Sequence, residues 1–260
     1  MPLEVPVRAA LNTVSEMLMK NLSIACAALA VILLTSVVAV SQTAKTVTVF
    51  QLGDQEAKIP TPAGFEEAAS QFENIKHHFT ITEDPGNDML GVYLTAADCN
   101  KLRAGEFGPF NFYTKVSVRR TVRAEDYSAE RFANLVATFR KSGAQVLDIN
   151  GTVMKNATER LGTGLSELNK QETKVDLGQP VNLGEFDTRP NIYSVMLLVN
   201  FKTKIGDNEV STPILGGLSF VRVKRRMIYV YTYRKYESKT DAVILRDFTR
   251  KWIGQILAAN

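Results

Sequence analysis

The chain has 260 residues, of which 45% are hydrophobic and 22% are charged, and its formal net charge is +4. This is the composition of an ordinary globular protein with enough apolar material for a core, so it excludes a largely disordered chain. The small positive charge does not by itself indicate a polyanionic partner. The excess belongs to the C-terminal quarter, where residues 201–260 hold twelve Lys and Arg against five Asp and Glu.

The N-terminal segment has the features of an export signal. Lys20 precedes an uncharged run over 21–44, and Ile24–Leu34 forms an apolar stretch of 11 residues. Small residues follow at 39–41, with the spacing that a signal peptidase reads. We therefore predict that the protein is exported from a bacterial cytoplasm and is periplasmic or secreted.

Three alternatives remain open for this segment. Leu22–Val40 spans 19 residues, close to the ~20 apolar residues of a transmembrane helix, so a retained anchor in the inner membrane competes with a cleaved signal. A buried core helix is the third alternative. Met17 and Met19 are alternative starts to Met1. The predicted organisation is a leader over 1–41, acting as signal peptide or anchor, and a single α+β domain over 42–260.

Strands are predicted along much of the exported part. Residues 42–58 start as an alternating strand that ends at Gly53-Asp54, and IPTPAGF at 59–65 is expected to be a stiff connecting loop because its prolines fix φ. Further strands are predicted where β-branched and aromatic residues lie between Gly, Pro, Asn or Asp. These segments are 88–94, 112–123, 145–149, 192–204, 217–223 and 227–235.

The first clear helix is predicted over 128–143. Ser128 is a suitable N-cap, and Gly143 is a natural stop. Between them an apolar face is formed by Phe132, Leu135, Val136 and Phe139. Residues 153–173 have an ambiguous pattern that Gly162 and Gly164 interrupt, and a short, broken helix is one interpretation of it.

The second clear helix closes the chain, over 238–260. Ser238 and Asp241 have capping-box spacing, and Trp252 is expected to anchor the helix to a sheet. Residues 115–141 and 228–254 both run from strand through polar turn to capped helix. Long strands, few β-α-β units and two covering helices predict the α+β class, with an antiparallel sheet covered by amphipathic helices.

Cations and tyrosines alternate in the stretch 218–238. In a strand, Tyr229, Tyr231 and Tyr233 share one face while Ile228 and Val230 share the other, which favours a central hairpin with cations at its turn. A nucleic-acid stacking platform is disfavoured because an exported chain seldom meets such a ligand. A third interpretation is weak contact of the turn with an anionic lipid surface. The residues in that turn are Lys224, Arg225 and Arg226.

No residue type or spacing predicts a metal site. His77 and His78 are neighbours, and on an extended chain their side chains point apart, so a surface or strand-end position is expected. No HExxH or CxxC motif occurs. Gly162-Thr163-Gly164 resembles part of a phosphate loop but lacks the third glycine and the Lys-Ser pair, so a turn is expected there. No cofactor is predicted.

No catalytic residue is predicted either. Cys99 would be alone after removal of the leader that holds Cys26, and a lone cysteine is usually a small buried residue. No G-x-S-x-G elbow accompanies the histidines. Acidic residues are scattered through loop-like stretches, and no spacing selects a pair. They are Asp98, Glu106, Asp176, Glu185 and Asp187.

The residues of the second half resemble a known fold family. VNLGEFDTRPNIYSVMLLVNFKT at 181–203, followed by 216–257 from GGLSF to GQIL, is similar to the second half of PsbP-like domains. The chain also resembles a group of uncharacterised exported proteobacterial proteins with an IPTPAGF-like segment and a closing helix. The resemblance covers about residues 45–260. It implies an α/β/α sandwich that acts as a binding or accessory module, and it transfers no catalytic residue.

The sequence thus favours a non-enzymatic accessory or binding protein of the bacterial envelope. Its expected partner is an envelope protein or a small ligand, with weak contact to anionic lipid and no nucleic acid. The alternative is a periplasmic hydrolase with an acidic or Cys99-based site that the sequence does not reveal. A cleft that gathers two carboxylates, or Cys99 beside a histidine, would favour this alternative.

Overall fold

The computed structural model of the protein describes residues 46–260, and the predicted leader over 1–41 lies outside them. The strands are β1 (Val47–Leu52), β2 (Gln55–Pro60), β3 (Phe65–Glu67), β4 (Asn87–Thr95), β5 (Phe112–Arg119), β6 (Thr173–Leu177), β7 (Val181–Asp187), β8 (Ile192–Ile205), β9 (Asn208–Val223) and β10 (Arg226–Lys235). The helices are α1 (Glu73–Ile81), α2 (Ala96–Arg103), α3 (Ala129–Val146), α4 (Thr152–Asn169) and α5 (Lys239–Ala258). Within 46–260, no helix is long and apolar enough to cross a membrane.

Eight of these strands form one antiparallel sheet, in the order β3-β4-β5-β10-β9-β8-β6. Strand β7 also pairs with β8, so β7 and β6 lie end to end along the same edge of that long strand. Strands β1 and β2 form a separate hairpin. The predicted α+β class, with an antiparallel sheet covered by helices, is confirmed.

Helices cover both faces of the sheet because its central strands are apolar on both sides. Ile228 and Val230 of β10 lie in one core cluster with Trp252 of α5. Tyr229, which points the opposite way, packs in another cluster with Phe132 of α3. The two strand-turn-helix units seen in the sequence therefore have adjacent strands, β5 and β10, but their helices lie on opposite faces.

Helix α5 is held by the contacts that its sequence predicts. Ser238 and Asp241 form a capping box, and backbone N–H groups together with Arg234 lower the pKa of the Asp241 carboxyl to about 2. Trp252 is 1% exposed, and its indole Nε1 donates to the Pro60 carbonyl at 2.7 Å. This bond joins α5 to the β1-β2 hairpin, whose side chains complete the same core.

Two predicted strand boundaries and one predicted strand differ from the structure. Strand β9 begins at Asn208 rather than 217, and β5 ends at Arg119, where a 3-10 turn follows. The strand predicted over 145–149 is wrong, because α3 continues past Gly143 to Val146. Gly143 lies under the Phe139 ring, where an added Cβ would come within 3.3 Å of the ring. It is a close-packing position inside the helix, and an isolated glycine is tolerated there.

The prediction of a broken helix over 153–173 is also wrong. Helix α4 runs without interruption through Gly162 and Gly164, and these residues therefore form neither a turn nor a phosphate loop. An added Cβ on Gly162 would lie 3.4 Å from the Thr173 carbonyl oxygen of β6. An added Cβ on Gly164 would lie 2.5 Å from the Thr82 methyl group, just after α1. Gly164 thus allows α4 to pack closely against α1, whereas the position of Gly162 also has room for a methyl group.

Alanine substitution at these two glycines should have opposite effects on the stability of the fold. Gly162→Ala should raise the free energy of unfolding by up to about 1 kcal/mol, since alanine favours a helix and the new methyl group makes an ordinary contact. Gly164→Ala should lower it by about 1–3 kcal/mol, because Thr82 cannot easily rotate away while its hydroxyl donates to the His78 carbonyl. Denaturant unfolding measures both values.

Thr82→Ser is the matched control for this pair. It removes the obstructing methyl group and keeps the hydroxyl, so it should restore part of the stability lost in Gly164→Ala. Equal stabilisation by both alanine substitutions would contradict the close packing of α4 against α1.

Candidate functional site

The cationic turn, Lys224–Arg226, is tied into the protein rather than free. Lys224 and Arg225 are the two loop residues of the β9-β10 hairpin, and both have positive φ, of 45° and 68°. Two-residue hairpin turns of this type require positive φ at both positions and favour Asn-Gly. Lys and Arg are therefore strained there, while both side chains remain exposed.

Arg226 does not share that exposure. It is 5% exposed, and its guanidinium binds Asp54 and Asp126 and donates to the Leu52 carbonyl. It joins three separate loops at one end of the sheet. Of the three cations predicted to meet an anionic surface, Lys224 and Arg225 are the two at the surface, and Arg225 is itself paired with Asp126.

The tyrosines of β10 belong to a continuous row of aromatic rings. Tyr231 stacks on Tyr233 with centroids 6.5 Å apart, and Tyr233 stacks on Tyr113 of β5 at 4.8 Å. The row continues to Phe79 of α1 at one end. At the other end it passes through Tyr229, Phe220 and Phe139 of α3. The shared face predicted for the tyrosines is thus a packing surface that connects α1 with α3.

A buried charge cluster lies beside this row. Glu83, 7% exposed, accepts from Lys115 Nζ at 2.9 Å, Ser117 Oγ at 2.6 Å and Asn87 Nδ2 at 3.1 Å. Lys115 Nζ also lies 5.0 Å from the centre of the Tyr231 ring. Burial acts to raise the pKa of Glu83, but the charge and hydrogen bonds of its neighbours outweigh it and the pKa is lowered. The cluster holds the segment after α1 against β5.

Both histidines lie on α1 and not on an extended segment as expected. Exposed His77 contacts Glu167 of α4 at 2.9 Å, while half-buried His78 lies beside Phe79. Burial lowers the pKa of His78, which favours its neutral form. In the part of the chain that the structure covers, His, Cys, Asp and Glu form no group able to hold a metal ion.

Cys99 lies on α2 with no exposed surface, in the apolar cluster that includes Phe79 and Leu94. Burial, and then the nearby Glu66 carboxylate, raise the pKa of the thiol to about 11. A buried, protonated thiol is a poor nucleophile.

The scattered carboxylates have separate partners rather than a common cleft. The Asp98 carboxylate accepts a hydrogen bond from the hydroxyl of Thr95, the N-cap of α2, and Asp176 lies 3.8 Å from Lys202. Asp187 pairs with Arg189. Glu106 follows α2 in an exposed loop. Glu185 lines a cavity.

That cavity, of about 290 Å³, lies between α3, β7 and β8. Its floor is Tyr193 and Val195, which are 3% and 1% exposed, and its apolar walls include Phe139 and Leu147. The sequence did not identify this site, because its residues come from three elements that are distant in the chain.

Arg140 and Glu185 stand together at the rim of this cavity. Two parallel bonds join them, Nε to Oε1 and Nη2 to Oε2, both at 2.6 Å. The guanidinium also lies over the Tyr193 ring, 5.3 Å from its centre. Arg140 lowers the pKa of Glu185, whereas burial and then the Glu185 carboxylate raise the pKa of Tyr193 to about 12. The site therefore joins an apolar floor to a charged pair of zero net charge.

Comparison with known proteins adds little to this description. No protein-family model and no curated protein matches the chain. Among solved structures, a mutant of protein Mog1 is similar over 82% of this chain and 92% of its own, at 12% identity and a TM-score of 0.30. The Saccharomyces cerevisiae Ran-binding protein Mog1p is similar over 83% and 92%, at 13% identity and a TM-score of 0.27. Scores this low support neither a fold family nor a function.

The buried Glu83 cluster should make the stability of the fold depend on pH, and removal of Lys115 should reverse the direction of that dependence. The lowered pKa of Glu83 means that its ionised form stabilises the fold above about pH 4.5 and that this stability is lost as pH falls through the lower folded pKa. Lys115→Met should cost about 3–5 kcal/mol at pH 7, because it leaves a buried carboxylate without its cation. Burial then raises the pKa of Glu83, so this variant should become more stable as pH falls from 7 to 5.

Denaturant unfolding at the two pH values tests this expectation. Glu83→Gln in the Lys115→Met background is the control, since it removes the titrating group and should abolish the gain at pH 5. A loss below about 1 kcal/mol in Lys115→Met, or a further loss on acidification, would show that the pair is not held as described.

Proposed function

We propose that the protein is an exported, non-enzymatic binding or accessory protein of the bacterial envelope. It is free in the periplasm or tethered to the inner membrane by residues 22–40. The leader composition supports export. The observation that carries the binding role is the cavity between α3, β7 and β8, which combines buried apolar residues with a few polar groups at its rim, as ligand sites do.

The size of the cavity favours a small ligand. Its volume of about 290 Å³ is just below the range found for ligand pockets, roughly 300–1,000 Å³. The hydrolase alternative has less support. Cys99 is enclosed and protonated, and Asp98, Asp176 and Asp187 each have a partner of their own.

A second role, weak contact with anionic lipid, is favoured by the strain at Lys224 and Arg225. Left-handed backbone costs a residue other than glycine roughly 1–2 kcal/mol, and such strain is often found at functional positions. Both side chains are exposed at the tip of a hairpin, where they can reach a flat surface together by leaving the Glu56 carbonyl and the Asp126 carboxylate. Arg226 would support this tip from the interior and would not touch the lipid.

Export is tested by fractionation of a bacterial host and by intact mass. We expect the protein in the envelope or periplasmic fraction, either shortened at about residue 41 or full-length in the inner membrane. Replacing two residues of the apolar run, for example Leu29→Arg and Leu33→Arg, should abolish translocation. A soluble cytoplasmic protein of full mass would refute export.

The turn is tested by a variant that removes charge and improves the backbone fit. Lys224→Asn with Arg225→Gly introduces the residues that this turn prefers, so it should raise the free energy of unfolding by about 1 kcal/mol. It should also abolish pelleting with phosphatidylglycerol vesicles at low salt. A loss of binding by a more stable protein cannot result from unfolding.

Arg250→Gln with Lys251→Gln is the matched control for this test. It removes the same charge from two exposed positions of α5 and should leave vesicle binding unchanged. Failure of the parent protein to pellet at low salt, or equal binding by the turn variant, would eliminate the lipid contact.

A further inference from the structure

The Arg140-Glu185 ion pair can be separated at a low cost in free energy. The two side chains are 49% and 34% exposed, and exposed ion pairs contribute only about 0.2–1 kcal/mol to stability. By contrast, Glu83 and Arg226 are less than a tenth exposed and cannot lose their partners without a large cost. Of the three, only the pair at the rim of the cavity can be separated by a small ligand at modest cost.

Charge balance limits what can separate this pair. A carboxylate that binds Arg140 displaces Glu185 and leaves two anions side by side, and an amine that binds Glu185 leaves Arg140 without an acceptor. A ligand with both groups avoids either penalty, because one ion pair is replaced by two and the net charge of the site stays at zero. Charge-assisted hydrogen bonds of this kind are the stronger ones in proteins.

Apart from Asn182 and two glycines, the remaining residues that line the cavity are apolar or aromatic. Phe139, Leu147 and Val195 line it, and the Tyr193 ring forms part of the floor. A volume of about 290 Å³ has room for a branched or aromatic side chain but not for a long peptide. The cavity therefore matches an apolar group that lies close to a carboxylate and an ammonium group.

We propose that the cavity binds a zwitterionic amino acid with an apolar side chain, its carboxylate on Arg140 and its ammonium group on Glu185. This inference rests on the proposed binding role and names its ligand class. The apolar side chain lies over Val195 between Phe139 and Leu147. The Tyr193 hydroxyl, which already interacts with Glu185, keeps that carboxylate directed toward the ammonium group.

Isothermal titration of the purified full chain tests the proposal. L-leucine and L-phenylalanine should bind. 4-Methylpentanoate, which is leucine without its amine, and 3-methylbutylamine, which is leucine without its carboxylate, should each bind about tenfold or more weakly. Absence of amino-acid binding at millimolar concentration would overturn the proposal, and so would equal binding of either analogue.

Substitutions at the rim assign the binding to this cavity. Arg140→Gln and Glu185→Gln should each weaken leucine binding about tenfold or more. Arg131→Gln is the matched control. Arg131 lies on the same helix, pairs with Glu125 and stacks over Tyr127, but it does not line the cavity. Circular dichroism should show that all three variants are folded.

Leucine affinity that survives both rim substitutions would overturn the assignment, as would an equal loss in the Arg131→Gln control. The result is independent of export. A cytoplasmic protein that binds leucine would refute the location but keep the site, and an exported protein that binds no amino acid would refute the site alone.

Discussion

Strand β10 meets protein on both of its faces, and this constraint organises the rest of the molecule. Ile228 and Val230 lie under α5, while Tyr229, Tyr231 and Tyr233 lie in the aromatic row that connects α1 with α3. A shift of one residue in its pairing with β5 or β9 would exchange the two sets and bring valine and isoleucine into the aromatic row. The register of the central strands therefore also determines which helices pack on each face of the sheet.

Features encoded by adjacent residues could be predicted from the sequence. Alternation placed β4, β8 and β10 within a residue or two, and the capping box located the start of α5 correctly. The failures occurred where a glycine gives room to a neighbouring side chain, whether on the same helix or distant in the chain. Gly143 and Gly164 resemble helix breakers in the sequence, but in the fold they accommodate the Phe139 ring and Thr82. No local pattern distinguishes a glycine that ends a helix from one that permits close approach.

The charged pairs could not be predicted, for a related reason. Glu83 and Lys115 are 32 residues apart, and Arg140 and Glu185 are 45 apart, so no spacing rule connects them. One signal was present for the first pair. Lys115 lies within the central strand sequence FYTKVSVR, where every neighbour is suited to burial, and a lysine in such a strand implies a buried acidic partner. The second pair is exposed, and its sequence resembles any other part of a solvated surface.

The arginines show why net charge is a poor guide to the partner of this protein. Arg222 donates to Asn191, Arg123 to the Gln51 carbonyl and Arg226 to the Leu52 carbonyl, so each joins a loop to the end of the sheet. Arg226 is only 5% exposed, so it cannot lose its partners without a large desolvation cost. Arg140 differs because its acceptor is a carboxylate, 34% exposed, at the rim of a cavity. A cation can bind a ligand when its ion-pair partner can be displaced at a low cost in free energy. That cost depends on how exposed the ion pair is and not on the number of cations in the protein.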